Sequence, residues 1–212
     1  DPRSGLAGSH MDMLHQSPLC MGIEHDGGVG MNGYWVLDGF NGHLVYYDFK
    51  EDHGPGEDDH SDGVVRRYPE VEFERVPDIP SHMVLDVDRR LLLIADTAND
   101  RVLWVNVDTG AWSEELTPLN EPLAEYSIYR GVEWGVFIDG IDTPSGIDVH
   151  ENRLFVGSHA SGEIFAFDLD SADLLGTYDT QSERLTGLEV SPDGRLWFID
   201  TAFGEVLRIE TE

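Results

Sequence analysis

Four short segments of this chain superpose on one another without a gap: PLCMGIEHD (18–26), PSHMVLDVD (80–88), PSGIDVHEN (144–152) and LTGLEVSPD (185–193). Each carries apolar residues at two alternating positions, namely Met21 and Ile23, Met83 and Leu85, Ile147 and Val149, Leu188 and Val190. A period of two is the signature of a strand with one buried face. A second apolar run follows each time (YWVLD, LLLIAD, LFVGS, LWFID), and then a third (HLVYYDF, RVLWVNV, EIFAFDL, EVLRIE). From Asp38, Asp96, Ser158 and Asp200 to the first apolar residue of the third run (Leu44, Val102, Ile164, Val206) the offset is six in all four copies. A constant offset at that place specifies one tight turn between two strands, so each copy is an antiparallel meander.

A variable outer segment completes three of the copies: VVRRYPEVEFERV, AEYSIYRGVEWGVFI and LLGTYDT. The fourth copy runs into EVLRIETE, so its outer strand has to come from elsewhere, and the stretch before Pro18 is the segment at hand. Repeats of about 40 residues or more, each forming one small sheet, bury their faces only against neighbouring copies, as the blades of a β-propeller do. The expected fold class is therefore all-β, a β-propeller of four visible blades, either a four-bladed ring or part of a five- or six-bladed one. Residues 1–17 are read as an N-terminal segment, a closing strand plus a processed or tag-derived start (DPRSGLAGSHM), and residues 18–212 as the propeller. With 23 glycines, 10 prolines and 40% hydrophobic residues, the composition supplies both the turns and the core.

Charge narrows the partners. The chain has 42 acidic against 13 basic side chains, a formal net charge of −29. Nucleic acid and anionic membrane surfaces call for a basic footprint, so neither is an expected partner; cations are, and a solvated acidic coat is the structural reading. No run of about 18 apolar residues is present to span a bilayer. The single cysteine, Cys20, excludes an internal disulfide framework and any cysteine-only zinc site. The processed-looking start points to a secreted or periplasmic location.

The strings ADTANDRVLWV, PSGIDV and FIDTAFGEVLRI resemble NHL-repeat β-propellers, in which a proline and a glycine lead into an inner strand and an aspartate ends the second strand before a polar turn. The resemblance covers most of residues 18–212. It implies a fold, and it leaves function open because propellers host many.

In such a fold the turn entering each inner strand lies near the central axis, and the four equivalent positions in the alignment are Cys20, His82, Gly146 and Gly187. A thiol and an imidazole together suit copper or zinc and are poor ligands for calcium or magnesium. The expected metal ligands are Cys20 and His82, completed by His15 or His25, with His43 more distant. The structural alternative makes Cys20 a small buried residue and His82 a hydrogen-bonded turn histidine. The acidic segment EDHGPGEDDHSDG (51–63) is read either as a cation trap that adds His53 or His60 or as a solvated hairpin. Met21 aligns with core positions and Met11 and Met13 precede His15, which leaves copper and zinc both open. His159 and His150 read as surface residues, and Asp38, Asp96 and Asp200 as caps of turn amides.

No nucleophile elbow, zinc-protease helix or phosphate loop is present, so catalysis is uncertain from motifs alone. Gluconolactonase-like propellers place glutamate, asparagine and aspartate around the axis, where this chain has Cys, His, Gly and Gly. The resemblance to the peptidyl-hydroxyglycine lyase propeller implies axial histidines on zinc and is one alternative function. The other is an NHL-like interaction module that holds a peptide or protein on one face without metal.

Overall fold

A computed structural model of the protein describes residues 14–27, 32–51, 59–119 and 121–210. Among them are seventeen strands in four sheets and a single turn of 3-10 helix at Thr97–Asn99. The chain divides into two compact units, one formed by residues up to Glu72 together with Thr109–Val132, the other by Phe73–Asp108 and Glu133–Glu212.

The first unit is one six-stranded sheet. Its meander is β1 (Ile23–His25), β2 (Gly33–Asp38), β3 (His43–Asp48) and β4 (Val64–Glu72), with β8 (Ala111–Glu115) and β9 (Glu125–Arg130) added beyond β4. β9 runs parallel to β4, Val64 opposite Glu125 and Arg67 opposite Ile128. Val36, Val45, Tyr47 and Val65 form its apolar centre, flanked by Leu14, Phe49, Leu123 and Tyr126.

Two expectations are corrected here. The run 124–138, read as one outer strand, is two: β9 joins the first sheet, and β10 (Trp134–Asp139) pairs with β7 (Arg101–Asn106) in the second unit. The break falls at Gly131, whose φ of 71° is left-handed and whose N–H donates to Glu70 at 2.7 Å. AWSEE, not expected as a strand, is β8.

The second correction concerns register. In three sheets the first apolar residue of the inner strand lies opposite the residue two before the turn: Met83 opposite Ile94, Ile147 opposite Val156, Leu188 opposite Phe198. In the first sheet Ile23, not Met21, lies opposite Val36. The Leu37 N–H donates to the carbonyl of Gly22, whereas its counterpart Ala95 donates to His82. β1 is thus displaced by two residues from the sequence alignment, and Ile23 is 57% exposed while its aligned partners Leu85 and Val149 are buried or half-buried.

The second unit stacks three meanders: β5 (Met83–Asp86), β6 (Leu91–Asp96), β7 and β10; β11 (Pro144–His150), β12 (Arg153–Ser158), β13 (Glu163–Asp168) and β14 (Leu174–Asp179); and β15 (Leu185–Val190), β16 (Leu196–Asp200) and β17 (Glu205–Arg208). Their alternating apolar residues meet between sheets. Leu93, Ala95 and Val102 pack with Ile147, Leu154, Val156 and Phe167, and Ile164 packs with Leu185 and Phe198. The three-strand meanders, their order and the one-turn helix content agree with the all-β reading of the sequence.

Candidate functional site

The strand-entry turns of the second unit converge. The Ser145 hydroxyl lies 2.7 Å from the Pro80 carbonyl and 2.9 Å from the Thr186 carbonyl, and the His82 N–H donates to the Ser145 carbonyl at 3.2 Å. The His82 imidazole is hydrogen-bonded to the Thr186 backbone; burial lowers its pKa, and that hydrogen bond acts in the opposite sense. One serine and one histidine therefore tie three inner strands together. The two glycines are there for space: a Cβ on Gly146 would come within 2.8 Å of the Gly187 carbonyl carbon and the Leu188 N, and one on Gly187 within 2.8 Å of Ile199. His159 Nδ1 donates to the Leu185 carbonyl at 3.0 Å, a bond beside the same turns that the surface reading of this residue missed.

In the first unit the two-residue displacement puts Gly22 where the other sheets have His82, Gly146 and Gly187, so three of the four entry positions are glycine and Cys20 lies outside the set. Cys20 is exposed, which corrects its reading as a buried residue. Beside it, Leu19 sits at a left-handed φ of 56° with 54% of its surface exposed, and Phe40, whose N–H donates to the Pro18 carbonyl at 3.1 Å, is 69% exposed. The corresponding turn between β16 and β17 in the second unit carries Phe203, 68% exposed.

The remaining histidines are placed separately. His15 Nδ1 and His60 Nδ1 lie 3.2 and 2.6 Å from the two carboxylate oxygens of Glu121. His25 packs edge-on against Tyr34, ring centroids 5.3 Å apart. His43 lies by the buried Arg67, and burial first, then the guanidinium charge, holds its pKa below the ordinary value. Among the described residues no group of three or more His, Cys, Asp or Glu side chains is arranged to hold a metal ion. His53, Met11 and Met13 lie outside the described residues.

Two of the three aspartates at the ends of the second strands cap turn amides; Asp96 does not, and instead accepts hydrogen bonds from the Glu74 N–H and the Asn99 and Arg101 side chains. Asp38 accepts the Phe40 and Asn41 N–H groups at 3.0 and 3.1 Å, and Asp200 accepts that of Ala202 at 2.8 Å. Asp38 also receives Arg67 at 2.7 Å, and Arg67 further donates to the Gln16 carbonyl and to Tyr126. Burial raises the pKa of Tyr47, whose hydroxyl is 2.8 Å from that of Ser17. Sequence reasoning missed Arg67, Glu121, Ser145 and Thr186; the place of Arg67 on the same strand face as Val65 was the one available signal for the first.

No known family profile matches the chain, and no curated protein does. Solved structures do. A chain of a nidogen/laminin complex aligns at a TM-score of 0.54 with 16% identity, over 87% of this chain and 57% of that one. A streptogramin B lyase aligns at 0.53 with 13% identity, over 91% and 51%. The β-propeller domain of Myceliophteria thermophila Swd1 aligns at 0.51 with 11% identity, over 86% and 49%. The chain spans about half the length of each. At these identities the likeness defines the class of fold: this is a β-propeller protein.

Proposed function

We propose that the chain is a propeller-type interaction module, with a peptide or protein held at its strand-entry turns through exposed apolar side chains. The observation that supports this is the pair Leu19 and Phe40, two large apolar residues in adjoining turns of the first unit, one of them on left-handed backbone that an ordinary side chain avoids. Exposed aromatic residues on a polar surface are the usual anchors of an interface. The net charge of −29 selects a basic partner, because opposite charge speeds encounter and like charge opposes it. The NHL likeness of the sequence motifs belongs to the same reading.

Selection of short random peptides on the immobilised protein tests it. Enriched sequences combine Lys or Arg with aromatic or aliphatic residues, and the double variant Leu19→Ser, Phe40→Ser weakens them by about tenfold or more. Failure to enrich any sequence, or equal binding by the double variant, overturns the proposal.

The transition-metal reading is a separate proposal that rests on the chemistry of Cys20, His82, His15 and His25 in the sequence. Metal analysis after dialysis tests it: one equivalent of zinc or copper, lost in Cys20→Ser, is its expected result, and a metal-free protein rejects it together with the zinc-lyase alternative.

A further inference from the structure

In the first unit the hairpin β8–β9 carries a β-bulge that changes which side chains share a face. Trp112 lies opposite Tyr129 and Glu115 opposite Ser127, and the register slips between Trp112 and Glu114. Residues three apart on a regular strand point to opposite faces. The extra residue puts Trp112 and Glu115 on the same face instead, beside Glu125, Ser127 and Tyr129 of β9. Between strand and loop lies a cleft of about 230 Å³ whose walls include Trp112, Glu115, Leu116, Pro118, Leu123 and Glu125, and Trp112 is 58% exposed there.

This face already holds one cation by pairing a ring with a carboxylate. The Arg66 guanidinium stands 4.8 Å from the centre of the Tyr129 ring and donates to the two oxygens of Glu125 at 3.2 and 3.4 Å, while the Ser127 hydroxyl donates to Glu125 at 2.6 Å. Burial opposes the Glu125 charge, but Ser127 and Arg66 outweigh it and hold the pKa below the ordinary carboxylate value, so the group stays ionised. One strand further out, Trp112 and Glu115 repeat the pairing without an internal cation. The Glu115 carboxylate has no hydrogen bond or ion pair among the described residues, and the other basic side chains around the hairpin are committed, Lys50 to Asp48 at 2.6 Å and Arg130 to Glu70 at 4.0 Å.

We infer that the cleft binds a small quaternary ammonium compound, with its N-methyl groups against the Trp112 ring and the walls of Leu116, Pro118 and Leu123, and its charge facing Glu115 and Glu125. A quaternary nitrogen suits the site better than a primary amine. An ammonium group brings three N–H donors that each need an acceptor, and the Glu125 oxygens are already taken by Ser127 and Arg66. A quaternary nitrogen has no donor to satisfy and draws its binding from charge and from the face of the ring. The excess of 42 acidic over 13 basic side chains raises the local concentration of any cation. The site is independent of the peptide surface proposed at Leu19 and Phe40.

Calorimetric titration with choline, with its uncharged isostere in which carbon replaces the nitrogen, and with ethanolamine tests this. Choline binds saturably at one site with a Kd on the order of 1 mM or tighter, and the other two are weaker by about tenfold or more. Trp112→Leu keeps an apolar side chain but removes the ring and weakens choline by about tenfold, whereas Trp112→Tyr keeps a ring and stays within about threefold of the parent. Glu115→Gln, on an exposed side chain, weakens choline by about threefold or more, and Leu19→Ser with Phe40→Ser leaves it unchanged. No saturable binding of choline, equal binding of the carbon isostere or of ethanolamine, or full binding by Trp112→Leu overturns the inference. A trimethyl-lysine peptide that binds more than about tenfold tighter than choline overturns it as well, by making the ligand a modified protein chain.

Discussion

The two units stabilise the same meander in different ways. The first is organised around a buried charge: Asp38 is fully buried, Arg67 nearly so, and the guanidinium also meets the Gln16 carbonyl and the Tyr126 hydroxyl. The second is organised by sheet-on-sheet apolar packing and by backbones that approach closely at Gly146 and Gly187. Its equivalent aspartate, Asp96, pairs with Arg101, which keeps about a quarter of its side chain in water. One repeat therefore tolerates either solution. The difference teaches that the buried aspartate is common to both while its partners are not: Asp38 caps its turn and receives Arg67, whereas Asp96 makes no turn cap and receives Arg101, Asn99 and the Glu74 N–H.

The largest effect expected of a single change falls on the first unit. Arg67→Ala leaves the Asp38 carboxylate buried without its counter-charge and costs about 4 kcal/mol, whereas Arg101→Ala costs about 2 kcal/mol because Asp96, though equally buried, keeps the Asn99 side chain and the Glu74 N–H as donors and its arginine is partly in water. Equal urea midpoints for the two variants would erase the contrast. In the second unit Leu154→Ala opens a cavity between two sheets and costs about 3 kcal/mol by the same measurement.

Smaller still is Gly146→Ala, which forces the Gly187 backbone away and costs about 2 kcal/mol. Gly131→Ala meets no atom within 4 Å, but its positive φ opposes a side chain; about 1 kcal/mol is expected. If Gly146→Ala proves the milder of the two in thermal unfolding, close approach is not what requires glycine at the entry turns.

The smallest effect is on pH dependence. Burial lowers the pKa of His82 below that of the unfolded chain, so the unfolded state binds the proton first as pH falls. Its contribution is absent above the unfolded value of about 6.5 and becomes destabilising below it. Asp148 has the opposite sign: burial raises its pKa, and stability is gained as pH falls through the raised value towards the unfolded one. Urea midpoints measured between pH 7.5 and pH 5.5 should therefore fall less in His82→Gln than in the parent; an unchanged slope would remove His82 from the balance.

Much of the fold was legible because it is written in short-range terms. Alternating apolar residues and a constant offset from Asp38, Asp96, Ser158 and Asp200 to the next strand are local, and all four meanders follow them. The site was less legible. His82 stood out by type, but its bond to the Thr186 backbone joins residues far apart in sequence, and no local pattern encodes it. Arg67 and Glu121 were missed for the same reason: each gathers partners from segments the repeat does not relate.

By itself the sequence determined the first three strands of each meander, their order and the turn caps at Asp38 and Asp200, since each depends on a dozen residues or fewer. Tertiary structure decided the register of β1, the division of 124–138 between two sheets and the exposure of Cys20. The physical reason is symmetry of the strand. A slip of two residues returns every side chain to the same face, so the hydrophobic pattern is satisfied by either register and only the packing of the whole sheet selects one.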